Sequence, residues 1–114
     1  MPGQTAEISG YRAMWVVAMF DLPVNTKQAR RAYTEFRKQL LRQGFLMLQL
    51  SVYARFCASE EAAEPHRRRL RGMVPPGGRV RLMTVTDRQY AAMEVYHGER
   101  RQPTERPPRQ VILF

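Results

Sequence analysis

The segment Ala13–Phe20 (AMWVVAMF) restricts the fold more than any other part of this 114-residue chain. Its eight residues present no polar face, and Asp21-Leu22-Pro23 ends the run abruptly. It is too short for an ordinary buried helix and far short of the ~20 apolar residues that cross a bilayer. Met14–Phe20 is therefore expected to be a strand buried on both faces, in the middle of a sheet. Pro23 stops it, because proline has no N–H for a ladder and restrains the residue before it. With Arg12 ahead, the run faintly imitates a secretory signal, but no small-residue cleavage site follows. The length suits one domain. The single cysteine, Cys57, excludes an internal disulfide framework and suits a reducing compartment, so a soluble cytoplasmic domain is expected.

The elements after the first strand follow from period and punctuation. Asn25 reads as a helix N-cap, with Gln28 three residues on in a variant of the capping box. Ala29, Ala32, Tyr33, Phe36 and Leu40 then recur at helical spacing between basic residues, and Gly44 supplies a left-handed end. Phe45–Cys57 is strand-like throughout, its even positions apolar from Leu48 to Phe56. It fits one long strand or two short ones with a bend near Gln49–Ser51. A second helix opens at Ser59-Glu60-Glu61, with acids near its positive end. Ala63, His66, Leu70 and Met73 form its inner stripe, and Pro65 suggests that the regular part begins nearer Glu64.

Val74-Pro75-Pro76-Gly77-Gly78 is a break, Arg79–Thr86 a strand, and Thr86-Asp87-Arg88-Gln89 a capping box for a short helical turn. Met93–Tyr96 is expected to be a further short strand. Residues 1–12 read as a loose lead-in, 13–98 as the domain, and 99–114 as an extended Pro- and Arg-rich tail ending in the apolar Val111-Ile112-Leu113-Phe114. The order β–α–β(–β)–α–β, with helices on one sheet face, indicates an α+β sandwich. Dividing Phe45–Cys57 in two gives the ferredoxin-like βαββαβ arrangement with an antiparallel sheet.

Charge supplies the first functional clue. Nineteen basic residues oppose ten acidic ones, a net charge of +9, and seventeen of the nineteen are arginine. The planar guanidinium fork matches phosphate oxygens, so a polyanion is the expected partner and nucleic acid the common one. Lys27, Arg30 and Arg31 on the first helix, with Arg79 and Arg81 on the later strand, are the candidate phosphate contacts.

Groups able to do chemistry are few: two aspartates, two histidines, three serines and Cys57. Asp21 stands where a buried strand meets a loop, a place that fixes a carboxylate while admitting solvent and substrate. Its plainer role there is to bond backbone N–H groups that end the strand. Asp87 is explained by its capping box, His66 by the core stripe, and His97 has no companion at metal spacing. Cys57 has no evident base. Phosphate-cradling, dinucleotide, serine-elbow and zinc-protease motifs are absent, as is the RNP1 pattern of RNA-recognition modules. One carboxylate per chain is thin equipment for holding Mg²⁺, which a symmetric dimer repairs by bringing two copies of Asp21 together.

The strand ending in Phe20-Asp21-Leu22-Pro23 resembles the small CRISPR-associated endoribonucleases of the "Cas two" family, in the form that accompanies single-effector, type II systems. The basic helix followed by Gly44-Phe45 is similar too. So are Leu50-Ser51-Val52-Tyr53, like that family's serine–valine–aromatic signature, and Val80–Thr86 with Asp87-Arg88-Gln89-Tyr90 after it. The likeness spans about Met14 to Gly98. It implies a ferredoxin-like protomer, hence two strands within Phe45–Cys57. It also implies a homodimer held between copies of the CRISPR integrase during spacer acquisition, on duplex DNA. A metal-dependent phosphodiesterase is implied as well, with Mg²⁺ on Asp21. Family members differ in nuclease activity. Phe45–Gln49 lacks the basic residue some carry before the signature.

Three functions follow as expectations: a Mg²⁺-dependent endonuclease acting on DNA or single-stranded RNA, a non-catalytic DNA-binding scaffold, or a toxin-like mRNA interferase. At the tail, Val111, Ile112, Leu113 and Phe114 are expected to pair with the sheet of the partner protomer. The thirteen residues from Gly98 to Gln110 can span up to ~40 Å, enough to reach it.

Overall fold

The computed structural model describes residues 13–98, so the expected lead-in 1–12 and the tail strand Val111–Phe114 lie outside the described residues. In chain order the elements are β1 (Met14–Asp21), α1 (Lys27–Arg42), β2 (Leu46–Gln49), β3 (Val52–Cys57), α2 (Glu60–Arg71), β4 (Arg79–Thr86) and the single turn α3 (Asp87–Ala91). The strands form one sheet in the order β2-β3-β1-β4 with every neighbouring pair antiparallel. This is the α+β, ferredoxin-like order expected from the sequence. β1 sits inside, paired on both sides, as its apolar run requires.

Residues directly opposite in a ladder share a face. Val16, Ala18 and Phe20 thus lie on one side with Tyr53 and Cys57 of β3 and with Val80 and Leu82 of β4. Both long helices cover that side, and Phe36 and Leu40 of α1 join Ala63 and Leu70 of α2 in the core. Phe20 is central to the aromatic packing, its ring centroid 5.1 Å from Phe36, 5.5 Å from Tyr53 and 6.3 Å from Tyr33. Trp15, Val17, Met19 and Asp21 occupy the other face with Phe56 and Met83. On this face the single turn α3 covers Trp15 through Tyr90, while Phe56 and Met83 are half-exposed. No described helix is long and apolar enough to cross a membrane.

Four local expectations are corrected. The cap of α1 is Thr26, not Asn25, and its hydroxyl accepts the Ala29 N–H at 2.9 Å. Two adjacent cap-forming residues compete here, and the extended backbone of Thr26 brings its oxygen to the third helical N–H. In β3 the odd residues Tyr53 and Cys57 are buried and the even Phe56 is exposed. The odd positions only looked polar: Tyr53 accepts a hydrogen bond from Arg37 Nε at 2.8 Å, and Arg55 Nε donates to the carbonyl of Gln43 at 2.7 Å, at the end of α1.

Helix α2 is continuous from Glu60, with Pro65 inside it. The N–H that proline lacks would have met Glu61, an exposed residue whose carbonyl water can satisfy. Lastly, Met93–Tyr96 is not a strand, and Met93, Val95 and Tyr96 are exposed. It has no ladder partner among the described residues. The division of Phe45–Cys57, the capping box at Thr86 and the positive φ of Gly44 (87°) agree with expectation.

His66 lies between α2 and the end of α1, its Nδ1 3.3 Å from Gln43 Oε1 and its ring edge-on to Phe45. Burial first, then the Arg55 and Arg69 guanidinium groups, push its pKa below the ordinary 6.5. The unfolded chain therefore takes up a proton more readily than the fold does. The stability this contributes is complete above about pH 6.5 and is lost as pH falls from there toward the lower folded pKa. His66→Gln should shrink the fall in urea midpoint between about pH 7.5 and about pH 5. An undiminished fall would show that other groups dominate.

Candidate functional site

Asp21 is the last residue of β1 and is exposed. Its backbone is held from both sides. The Phe20 N–H donates to the carbonyl of Ser51 at 3.0 Å, tying the strand end to the β2–β3 turn, and the next residue, Leu22, is buried. Against Leu22 and Pro23 packs the turn Pro75-Pro76-Gly77-Gly78, closed by the Gly78 N–H on the carbonyl of Pro75 at 3.0 Å. Gly77 has φ +79°, the left-handed geometry that a proline-led type II turn needs at its third position. A Cβ on Gly78 would stand 2.5 Å from Leu22 Cδ2 and 3.1 Å from the Pro75 carbonyl oxygen, so a larger residue here would force the buried Leu22 side chain to move. The turn delivers β4 with Arg79 directly opposite Asp21 and Arg81 opposite Met19, both exposed and on the face away from the two long helices.

The five candidate phosphate contacts therefore fall into two groups. Arg79 stands opposite Asp21 and Arg81 diagonally beside it on β4. Lys27, Arg30 and Arg31 belong to α1, which packs on the opposite side of the sheet, and with Lys38 they line a shallow open groove along the helix. Arg30 is steadied by a 3.1 Å hydrogen bond from its Nη1 to the carbonyl of Val24. The first helix does not bring its charge to Asp21. The pairing of Asp21 with Arg79 was missed in the sequence because 57 residues separate them. The available signal was that one ends a central strand and the other begins an antiparallel neighbour.

The remaining candidates are structural. Asp87 accepts the Trp15 indole N–H at 2.8 Å while the Trp15 ring stacks on Tyr90 with centroids 3.8 Å apart. Burial pushes the Cys57 thiol pKa up, the opposite of an activated nucleophile. His97 is exposed, and the described residues contain no group of three or more His, Cys, Asp or Glu placed to hold a metal.

Ion pairs among the described residues gather on Glu35, Glu60 and Glu64, and none engages Asp21. A lone exposed carboxylate is a hard oxygen donor of the kind Mg²⁺ takes, one or two at a time, with water and substrate phosphate completing the octahedron. Asp21 fits such a site as one of its ligands and does not form it alone.

A basic α+β sandwich with both long helices on one sheet face and an exposed carboxylate closing its central strand belongs to the class of small ferredoxin-like proteins. Within that class the family is shown directly. Residues 14–93 match the family model described as CRISPR associated protein Cas2, and the chain belongs to this family. It is 54% identical over 101 residues to the CRISPR-associated endoribonuclease Cas2 of Parvibaculum lavamentivorans, covering 89% of this chain and 100% of that protein. Proteins of the same name from Paracidovorax avenae and Flavobacterium psychrophilum are 47% and 43% identical over 107 residues each. Each of these alignments covers 94% of this chain, with 99% of the P. avenae protein and 93% of the F. psychrophilum protein.

Because Asp21 is exposed and outside the ion pairs of the described residues, the fold does not depend on its charge. Asp21→Asn should change unfolding free energy by no more than about 0.5 kcal/mol, measured by urea titration. A loss above about 2 kcal/mol would assign the carboxylate to ending the strand.

Proposed function

We propose that this chain is a CRISPR adaptation subunit. In this reading it acts as a homodimer with the CRISPR integrase on duplex DNA, and cleaves phosphodiester bonds through Asp21 and Mg²⁺. The observation that carries the reading is the exposed Asp21 carboxylate, unpaired among the described residues, at the end of the central strand. The family relatives named endoribonuclease support the reaction class, and the arginine-rich charge supports the partner.

The dimer is supported by chemistry and by surface. One oxygen donor per chain leaves a magnesium site short of ligands, and a second copy supplies another across a two-fold axis. Phe56 and Met83 leave apolar surface on the same face as Asp21, and a second sheet would take it out of water.

Bound Mg²⁺ would polarise the phosphate and acidify the attacking water. Asp21 holds its carboxylate where the strand end fixes it. Hydrolysis adds the water oxygen to phosphorus and breaks one P–O ester bond, and the departing alkoxide takes a proton. Lys27, Arg30 and Arg31 neutralise backbone phosphates along α1 without reading sequence.

Asp21→Ala should abolish cleavage that wild type performs with Mg²⁺ and loses with EDTA, while both chains melt alike. Wild type that binds duplex yet cuts neither DNA nor RNA with Mg²⁺ would favour the scaffold reading. Separately, replacing Lys27, Arg30 and Arg31 together by alanine should lower the slope of log K against log salt by roughly 2 to 3 for every duplex sequence tested. An unchanged slope would leave that helix a solvated surface.

A further inference from the structure

We propose that Arg79 and Arg81 form a phosphate grip belonging to the Asp21 site, distinct from the duplex-contacting row on α1. The ligand class is a single phosphodiester of a short, unpaired nucleotide segment. The inference rests on the reading of Asp21 as the metal-bearing carboxylate and adds the residues that would hold the scissile group beside it.

Three observations carry it. The ladder places Arg79 opposite Asp21 and Arg81 opposite Met19, so both guanidinium groups and the carboxylate share one face at one end of the sheet. Directly opposite residues have Cβ atoms ~5 Å apart, within reach of one small anion. Next, Asp21 and Arg79 form no ion pair with each other. The carboxylate is left open to a cation and the guanidinium to an anion, the two charges that a metal-bound phosphodiester presents together.

Lastly, the placement of Arg79 is built into the backbone. The Pro75–Gly78 turn packs directly against the buried Leu22, next to Asp21, so the two strand ends are held together. Two arginines at one strand start cannot follow a duplex. The α1 row, extending from Lys27 to Lys38, has the length for that. An arginine fork binds two oxygens of one phosphate, a geometry lysine cannot copy.

The test is a nuclear magnetic resonance titration of the full chain with a dinucleoside monophosphate, which carries one phosphodiester, in the presence of Ca²⁺ to allow binding without rapid turnover. Arg79 and Arg81 side-chain N–H signals should move, and those of Arg30 and Arg31 should stay. A parallel titration with duplex DNA should move Arg30 and Arg31. Arg79→Ala should weaken dinucleotide binding about tenfold, and Arg79→Lys should restore only part of it.

Shifts confined to Arg30 and Arg31, or an Arg79→Ala chain that binds the dinucleotide as wild type does, would overturn the proposal. Asp21→Ala separates the two readings. If Ca²⁺ strengthens dinucleotide binding in this variant as in wild type, the metal role of Asp21 fails, whatever the arginine signals do.

Discussion

Everything in this fold is referred to β1. A strand hydrogen-bonded on both edges and apolar on both faces has one position to occupy, the interior of a sheet. Pairing with β3 on one side and β4 on the other fixes the register of both. The helices then have one face to cover, the one bearing Val16, Ala18 and Phe20. Phe20 meets rings from both α1 and β3, so the end of β1 is anchored in the core. The residue after it inherits that rigidity. Asp21 is a solvent-facing carboxylate on a backbone that cannot drift, the arrangement a metal ligand or a positioned base requires.

The same pairing explains how a basic chain divides its charge. Several arginines have structural work, three on the helices and one on β3. Arg37 satisfies the buried Tyr53 hydroxyl, and Arg55 caps the α1 end through Gln43. Arg67 clamps α2 to β4 by donating to Thr84 Oγ1 at 2.8 Å, while also bonding Glu60 and Glu64. Arg71 adds a second pair to Glu64. These pairings lower the Glu64 pKa and leave Glu60 and Glu64 compensated. Among the described residues, the cations outside these ion pairs include Lys27, Arg30, Arg31 and Lys38 on the outer side of α1 and Arg79 and Arg81 at the strand start near Asp21. A count of arginines points to nucleic acid, and only their placement separates a long contact row from a local grip.

Apart from the cap of α1, which two adjacent residues contest locally, the errors in the sequence reading share one cause. Each arose where a local rule met a tertiary constraint that outranked it. The alternation along Phe45–Cys57 suggested that Phe56 points inward, yet both faces of this sheet are apolar, and register with β1 decided in favour of Tyr53 and Cys57. Pro65 looked like a helix boundary because proline removes one ladder bond. The burial of Ala63 and Leu70 on either side of it outweighs that loss. Met93–Tyr96 has strand composition but no neighbour to pair with among the described residues, and strands exist by pairing.

The sequence by itself determined the order of elements, the central place of Met14–Phe20, the basic helix and the identity of Asp21 as the carboxylate of interest. Those features are written in local terms: apolar period, proline and glycine punctuation, and net charge. The motifs around Phe20-Asp21-Leu22-Pro23 and Leu50-Ser51-Val52-Tyr53 also sufficed to suggest the family that the comparisons then showed. Only the tertiary structure decided which face each strand turns to the helices, and that Arg79 stands opposite Asp21 while Arg30 and Arg31 do not. Facing and register depend on contacts between residues far apart in the chain. No local window contains both partners of such a contact.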